Sequence, residues 1–112
     1  MQLARDVYRV TETFPKTEMF GLVAQMRRAA VSVPSNIAEG HGRLSDNSFR
    51  IFLAQARGSL FEIETQIQLA SDLGYVSAND AQQLTESCGE VARVLNGLIR
   101  ATNATVPASS SR

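Results

Sequence analysis

The chain has 112 residues and a mass of 12.2 kDa, which is enough for one domain of ordinary size and too little for a catalytic domain joined to a regulatory one. Apolar residues make up 44% of it and charged residues 20%, which excludes the compositions typical of disordered chains. Eleven Lys and Arg residues balance eleven Asp and Glu residues, so binding to nucleic acid or to an anionic membrane would need a local basic patch.

The first predicted helix is short. Apolar residues step by four, three and four from Leu3 to Phe14, which is the spacing of one helix face. Pro15 follows, and proline disfavours helical geometry in the residue before it. The helix is therefore expected to end near Phe14.

The second predicted helix contains a proline. Its apolar pattern begins after Thr17 and Glu18, which suit a helix cap and a first-turn acid. Pro34 removes one backbone hydrogen bond, so either one kinked helix or two shorter helices would satisfy the pattern. One kinked helix is favoured because the apolar stripe stays in phase on both sides of the proline. Gly40 and Gly42 are expected to end it.

The two remaining helices are predicted to be long and to begin at serine caps. Ser45 precedes an apolar pattern that runs to Leu73, and Gly74 follows it as a residue suited to end a helix. Ser77, with Asp80 three residues later, is a variant of the capping box and precedes the fourth pattern.

Four amphipathic helices joined by short loops predict an all-α protein, and specifically an antiparallel up-and-down four-helix bundle. The bundle domain is expected to occupy residues 1–104, and residues 105–112 are expected to form a disordered tail. No segment approaches the ~20 apolar residues that a membrane span needs, and the first residues do not resemble a secretory signal. The single cysteine, Cys88, falls among apolar positions, which favours a reducing compartment and predicts a cytoplasmic location.

The third predicted helix carries apolar residues on the half that is turned away from its core stripe. A lone bundle would leave them exposed to water, so a second buried surface is expected, most simply against another copy of the chain. The small members would let another helix approach closely. The alternative is that Phe61 packs under a loop or the tail. We call this set the outer stripe: Ile51, Ala54, Gly58, Phe61 and Leu69.

The second predicted helix carries polar residues along one flank of its apolar stripe, at steps of three and four. They could bind a ligand or a partner, or they could form a solvated boundary or a satisfied polar network that fixes helix register. Glu39 and Arg43 are spaced as an i,i+4 ion pair, and Asn36 needs hydrogen-bond partners if it is buried. We call this set the polar seam: Gln25, Arg28, Ser32, Asn36, Glu39 and Arg43.

The sequence contains no catalytic or metal-binding pattern. The Glu-x-x-His motif of di-iron bundles does not occur, and the single histidine, His41, is predicted to lie in a loop. Nucleophilic catalysis by Ser32, Ser59 or Cys88 would need a base, and a single histidine in a predicted loop argues against a catalytic triad or dyad. No phosphate-binding loop is present. We therefore expect no enzyme activity, no metal and no cofactor.

A basic patch is the main alternative route to a function. Arg27 and Arg28, together with Arg43, Arg50 and Arg57, could contact the phosphates of RNA or DNA. Two features argue against this function. Acidic residues on the same helices could neutralise these arginines, and most of the few aromatic residues that could stack on bases are expected in the core. The partner would otherwise be a protein, a small ligand bound along the polar seam, or another copy of the chain.

Two long segments of the chain resemble a known protein family: GLVAQMRRAAVSVPSNIAEGHGR and FRIFLAQARGSLFEIETQIQLASDLGY. Their most specific parts are residues 25–29, residues 32–40, and residues 58–60 with Glu62. They resemble the four helix bundle family of 23S rRNA intervening-sequence-encoded proteins, which is related to the accessory variability proteins of diversity-generating retroelements. The similarity extends over roughly residues 4–101.

The resemblance implies a four-helix protomer that assembles into a homopentameric ring and has no enzyme activity. Nucleic-acid binding through a basic surface or pore is attributed to some relatives, and the retroelement relatives work with a reverse transcriptase. The balanced charge of this chain departs from the strongly basic relatives. A binding site carried over from the family would comprise Gln25, Arg27, Arg28, Ser32, Asn36, Glu39 and Arg43, faced by Gly58, Ser59 and Glu62.

Overall fold

The computed structural model describes residues 1–42 and 45–105. They form four α-helices and no strand: α1 (Gln2–Thr11), α2 (Leu22–His41), α3 (Asp46–Asp72) and α4 (Ala78–Thr105). A single 3₁₀ turn, Lys16–Glu18, lies between α1 and α2. The prediction of an all-α protein with four helices is therefore confirmed.

Helices α2 and α3 lie side by side and run in opposite directions. Arg28 near the start of α2 pairs with Glu62 in the second half of α3, whereas Gly40 at the end of α2 faces Phe49 at the start of α3. Because partners further along α2 contact residues earlier in α3, the pairing is antiparallel.

Helices α1 and α4 complete the arrangement. The short turn between α3 and α4 reverses the chain, and Arg57 of α3 contacts Asn96 of α4. Arg9 of α1 pairs with Asp80 at the start of α4. Both α1 and α3 pack chiefly against α2 and α4, so α1 and α3 occupy opposite corners. The arrangement measures 52 × 22 × 22 Å and is compatible with an up-and-down helical bundle.

One continuous apolar core runs through all four helices. Its largest fully buried side chains include Leu3 of α1, Met26 of α2, Leu60 of α3, and Leu84 and Leu95 of α4. These residues recur at spacings of three and four along their helices, so each helix turns one apolar face toward the others. Burial of such faces supplies most of the stability of helices in a small domain.

Helix α1 is shorter than its apolar pattern predicts. It ends at Thr11, whose hydroxyl donates a 2.7 Å hydrogen bond to the carbonyl oxygen of Val7. Phe14 is nevertheless buried, and its ring lies 5.5 Å from that of Tyr75. The predicted end at Phe14 was wrong because a side chain in the following turn can still reach the core, so apolar spacing continues past the helix.

Helix α2 passes through Pro34 without interruption, as favoured from the sequence. Its start differs from the prediction, because Thr17 and Glu18 belong to the preceding 3₁₀ turn and Gly21 occupies the capping position. Glu18 still acts on the helix, since its Oε1 accepts a 3.3 Å hydrogen bond from the backbone N–H of Leu22. The carboxylate thus satisfies one of the open donors at the helix start.

The end of α2 lies later than predicted, because Gly40 is inside the helix. It is buried against α3, and a Cβ atom at this position would lie 2.6 Å from Cδ1 of Phe49 and 3.1 Å from Cβ of Phe52. Gly40 therefore allows close contact between helices, and Gly42 caps the end. His41 is the last residue of α2 and not a loop residue, and its ring lies 4.9 Å from that of Phe49.

The predicted starts of α3 and α4 are confirmed. The Ser45 hydroxyl accepts a 3.1 Å hydrogen bond from the backbone N–H of Ser48, and the Ser77 hydroxyl accepts one of the same length from Asp80. Gly74 adopts a φ of 75°, which lies in the left-handed region that favours glycine after a helix. Two serine hydroxyls and one glycine backbone conformation thus fix these three boundaries.

Helix α4 continues to Thr105, the first residue assigned to the predicted tail, and residues 106–112 lie outside the described residues. Within residues 1–42 and 45–105, no helix combines the length and apolar character that a membrane crossing requires.

Candidate functional site

The centre of the polar seam joins α2 to α3 through hydroxyl and amide groups. The hydroxyl oxygens of Ser32 and Ser59 are 2.8 Å apart. Asn36 Nδ2 donates to the carbonyl oxygen of Ser32 at 2.8 Å and to its hydroxyl oxygen at 2.9 Å. Because Asn36 is the donor to the Ser32 hydroxyl, that hydroxyl can in turn donate to Ser59. The three half-buried side chains form a connected network between two helices.

The second part of the polar seam is a charged cluster nearer the start of α2. Arg28 Nη2 lies 3.3 Å from Glu62 Oε2 and also donates to Gln25 Oε1. The Arg28 side chain is 62% exposed, so solvent screening limits this pair to less than about 1 kcal/mol. Gln66 Nε2 donates to the same Glu62 oxygen at 3.3 Å. The cluster therefore fixes the register of α2 against α3 more than it stabilises the fold.

Gln66 belongs to this cluster and was missed from the sequence. It follows Glu62 by four residues and Ser59 by seven, so it lies on the same flank of α3. Its side chain is buried, and its Oε1 has no hydrogen-bond partner among the described residues. Its spacing from Ser59 and Glu62 could have indicated from the sequence that Gln66 belongs to the cluster.

Arg27 is not brought to the polar seam. Its Nε donates a 2.9 Å hydrogen bond to Thr11 Oγ1, and its guanidinium lies 4.6 Å from the centre of the Tyr8 ring on α1. Successive residues point about 100° apart around a helix, so Arg27 faces α1 while Arg28 faces α3. The two adjacent arginines thus serve different helix pairs.

The other arginines of the predicted basic patch are also dispersed. Arg57 points toward α4, where its Nη1 lies 3.4 Å from Asn96 Oδ1. Arg50 donates to Asn47 within α3. Arg43, which was predicted to pair with Glu39, lies outside the described residues, and Glu39 itself is exposed on α2. The structure thus distributes Arg27, Arg28, Arg50 and Arg57 over several faces.

The outer stripe is exposed along its full length. Phe61 is 57% exposed, Ile51 and Leu69 are about as accessible, and Ala54 and Gly58 are exposed between them. A Cβ atom at position 58 would meet nothing within 4 Å, so no packing among residues 1–42 and 45–105 explains a glycine in the middle of α3. No loop in the described part of the chain covers Phe61, and residues 106–112 of the tail named in the alternative lie outside the described residues.

An apolar groove of about 290 Å³ lies among α1, α2 and α4, and sequence reasoning missed it. Ile37 and Val91 are half-buried in it, Met1 and Val94 are exposed, and Glu90 is its charged residue. Val94 is 60% exposed although it sits on a helix that buries Val91 against the core. We call this set the apolar groove: Met1, Ile37, Glu90, Val91 and Val94. The feature of the sequence that could have indicated this groove is Val94, an apolar residue of α4 that lies off the core stripe.

A family model described as 23S rRNA-intervening sequence protein matches residues 1–97 of the chain. The chain belongs to this family. The match agrees with the resemblance noted in the sequence and runs from α1 into α4. No curated protein matches the chain significantly. The family name itself carries no biochemical function.

Cys88 of this 23S rRNA-intervening sequence protein is a core residue. It is fully buried on α4, and desolvation, assisted by the negative charge of Glu64, raises the pKa of its thiol to about 12. A thiol that stays protonated and has no access to solvent is a poor nucleophile. No group of three potential metal ligands occurs in the part of the chain that the structure describes. The role of Cys88 is therefore packing.

The raised pKa of Cys88 predicts a loss of stability in alkali. The thiol keeps its proton in the folded state but ionises above the ordinary pKa of 9.0 when the chain unfolds. The part of the unfolding free energy that depends on this protonated thiol is complete below pH 9 and is lost as the pH rises toward 12. Chemical denaturation of the wild type should show a falling free energy of unfolding across this range, and Cys88→Ala should show a shallower fall.

A second group titrates in the same range and needs a control. The Tyr75 hydroxyl donates a hydrogen bond to Glu18, and this raises the pKa of Tyr75 in the folded protein. Ionisation of Tyr75 at high pH therefore also lowers the free energy of unfolding. Tyr75→Phe should reduce the alkaline slope separately while leaving the part that depends on Cys88. A slope that is the same in the wild type and in Cys88→Ala would contradict the prediction.

Proposed function

We propose that this family member is a non-enzymatic, homo-oligomeric protein of the cytoplasm that serves as a scaffold or binding module. The observation that supports it is the outer stripe, an exposed apolar face on α3, a 27-residue helix whose opposite face belongs to the core and which carries a mid-helix glycine. Exposed apolar patches of this kind mark association surfaces. A glycine costs roughly 1 kcal/mol relative to alanine inside a helix. Close approach by a partner helix, which a side chain at this position would hinder, explains why a glycine occurs here.

The occupant that fits the outer stripe best is another copy of the chain. Net charge is zero, so copies do not repel one another strongly. Every protomer that exposes the outer stripe also exposes the apolar groove, so a complementary apolar surface is always present at the same concentration. The family resemblance adds the expectation of five copies in a ring.

Nucleic-acid binding remains the competing function, and the arrangement of the arginines gives it less support. Arg27 is engaged by α1, Arg28 is paired with Glu62, and Arg57 points toward α4. A phosphate-binding surface needs several cations that converge on one face. A small ligand along the polar seam is less supported still, because Ser32, Asn36 and Ser59 already bind one another.

The native mass of the full chain tests both functions together. Light scattering at low and high salt should give a stable multiple of 12.2 kDa, with five copies for the ring, and adding generic RNA or single-stranded DNA should leave that mass unchanged. A monomer at every concentration would contradict self-association. A mass that rises with nucleic acid at ~50 mM salt and returns at high salt would favour the arginine alternative, because phosphate contacts weaken steeply with salt.

Phe61→Glu is the expected disrupting variant. A glutamate at the centre of the outer stripe would be hydrated in the protomer but would lose that hydration in an apolar contact, which disfavours association and not folding. We expect a species of smaller mass with an unchanged helical circular dichroism spectrum. Gln83→Glu adds the same charge at an exposed site on α4 and should keep the native mass. If Phe61→Glu assembles as the wild type does, the outer stripe is not the contact.

A further inference from the structure

We infer that self-association is head-to-tail, with the outer stripe of one copy seated in the apolar groove of the next. This inference rests on the proposed function and names the two surfaces that carry it. Among the described residues nothing covers the centre of either surface: Phe61 in the stripe and Val94 at the rim of the groove are both more than half exposed.

The two surfaces face opposite sides of the protomer. The outer stripe lies on the half of α3 turned away from the core, and the apolar groove lies beside Met1, where α1 begins. Since α1 and α3 occupy opposite corners of the bundle, a copy docked on the stripe leaves the groove of the first copy free. Repeating the same contact adds copies one after another, and it closes into a ring when the rotation between copies allows.

The outer stripe offers an exposed aromatic ring, and the apolar groove offers an open space for one. Phe61 projects from the outer stripe between small or exposed neighbours, since Gly58 precedes it by three residues and Ala54 by seven. The apolar groove offers about 290 Å³ with Ile37 and Val91 half-buried in it. An aromatic side chain placed in a pocket of this kind is the usual centre of a protein–protein contact.

The charges beside the two surfaces are complementary. Glu90 lines the apolar groove. Arg57 lies one helical turn before Phe61 at the edge of the outer stripe, and its contact to Asn96 is long at 3.4 Å. A docked stripe would therefore bring a cation to the only charged side chain lining the groove within the described part of the chain. Opposite charges at a rim set the register of a contact.

The alternative is that two copies pair outer stripe against outer stripe. Such a contact would be symmetric and centred near Gly58, where the chains can approach most closely. It would bring the Arg57 side chains of both copies to the same place, and like charges side by side oppose association. It would also stop at a dimer and leave Val94 and Met1 exposed.

Mixing two assembly-defective variants distinguishes these arrangements. Phe61→Glu damages the stripe and Val94→Glu damages the groove, and both positions are exposed enough to keep the protomer folded. Each variant alone should be monomeric. An equal mixture should contain a heterodimer of twice the protomer mass and nothing larger, because one intact stripe meets one intact groove and no further contact is left.

The control mixture combines two variants of the same surface. Phe61→Glu mixed with Ile51→Glu should stay monomeric, because neither chain retains an intact stripe. If Val94→Glu keeps the wild-type mass, the head-to-tail contact is refuted while self-association through the stripe survives. If the mixture of Phe61→Glu and Val94→Glu forms no heterodimer, the inference also fails. A wild-type chain that is monomeric refutes the proposed function as well.

Discussion

Replacement of Leu60 by alanine is expected to lower the free energy of unfolding of the protomer by about 2–5 kcal/mol. Leu60 is fully buried at the middle of α3 and packs among the core residues of the bundle. The substitution removes buried methyl groups and leaves a cavity that long, packed helices cannot close. Urea denaturation followed by circular dichroism measures the change, best in the Phe61→Glu background, where association does not add to stability.

The matched control is Leu69→Ala on the same helix. Leu69 is 47% exposed in the outer stripe, so the same loss of methyl groups should change the unfolding free energy of the protomer by less than about 0.5 kcal/mol. In the wild-type background it should instead weaken association. Equal losses of protomer stability for Leu60→Ala and Leu69→Ala would contradict the assignment of one α3 face to the core and the other to a partner.

Gly40→Ala is expected to destabilise the protomer by about 1–3 kcal/mol, although alanine is the better helix former. The new methyl group would lie 2.6 Å from Cδ1 of Phe49 and 3.1 Å from Cβ of Phe52. The Phe49 ring can rotate away, but Cβ of Phe52 moves only if α3 moves as a whole. Thermal unfolding in the Phe61→Glu background should show the loss directly.

Gly58→Ala supplies the contrast, because nothing lies within 4 Å of the added methyl group. In the Phe61→Glu background it should stabilise the protomer by about 0.5–1 kcal/mol through helix propensity alone. In the wild-type background it should weaken association, because the added methyl group occupies the space of a close helix contact. A stabilised protomer from Gly40→Ala would show that α2 and α3 are not held in close contact there.

The predictable part of the fold was encoded locally. Apolar spacing gave the four helices, and the hydroxyls of Ser45 and Ser77 gave the starts of α3 and α4. The two faces of α3 followed from the same arithmetic, so the exposure of Phe61 could be expected before any neighbour was known. These features depend on contacts between residues a few positions apart, so they can be predicted from the sequence without knowing which helices become neighbours.

The parts that failed depended on which helices become neighbours. Gly40 was predicted to end α2 because glycine is common just after helices. In the structure it lies inside α2, where the close approach of α3 leaves no room for a side chain. The predicted grouping of Arg27 with Arg28 ignored that α1 lies on the other side of α2. Gln66 joined the cluster at Glu62 only through the register of α3 against α2.

Residue spacing alone therefore predicts four amphipathic helices with a spare apolar face on the third. The packing of the helices against one another places α1 at the corner opposite α3 and opens an apolar groove beside Met1. The reason is physical: helix formation and capping are governed by residues three or four apart. The groove, in contrast, exists only because the fold brings Met1, Ile37 and Val91, which are distant in sequence, to line the same space.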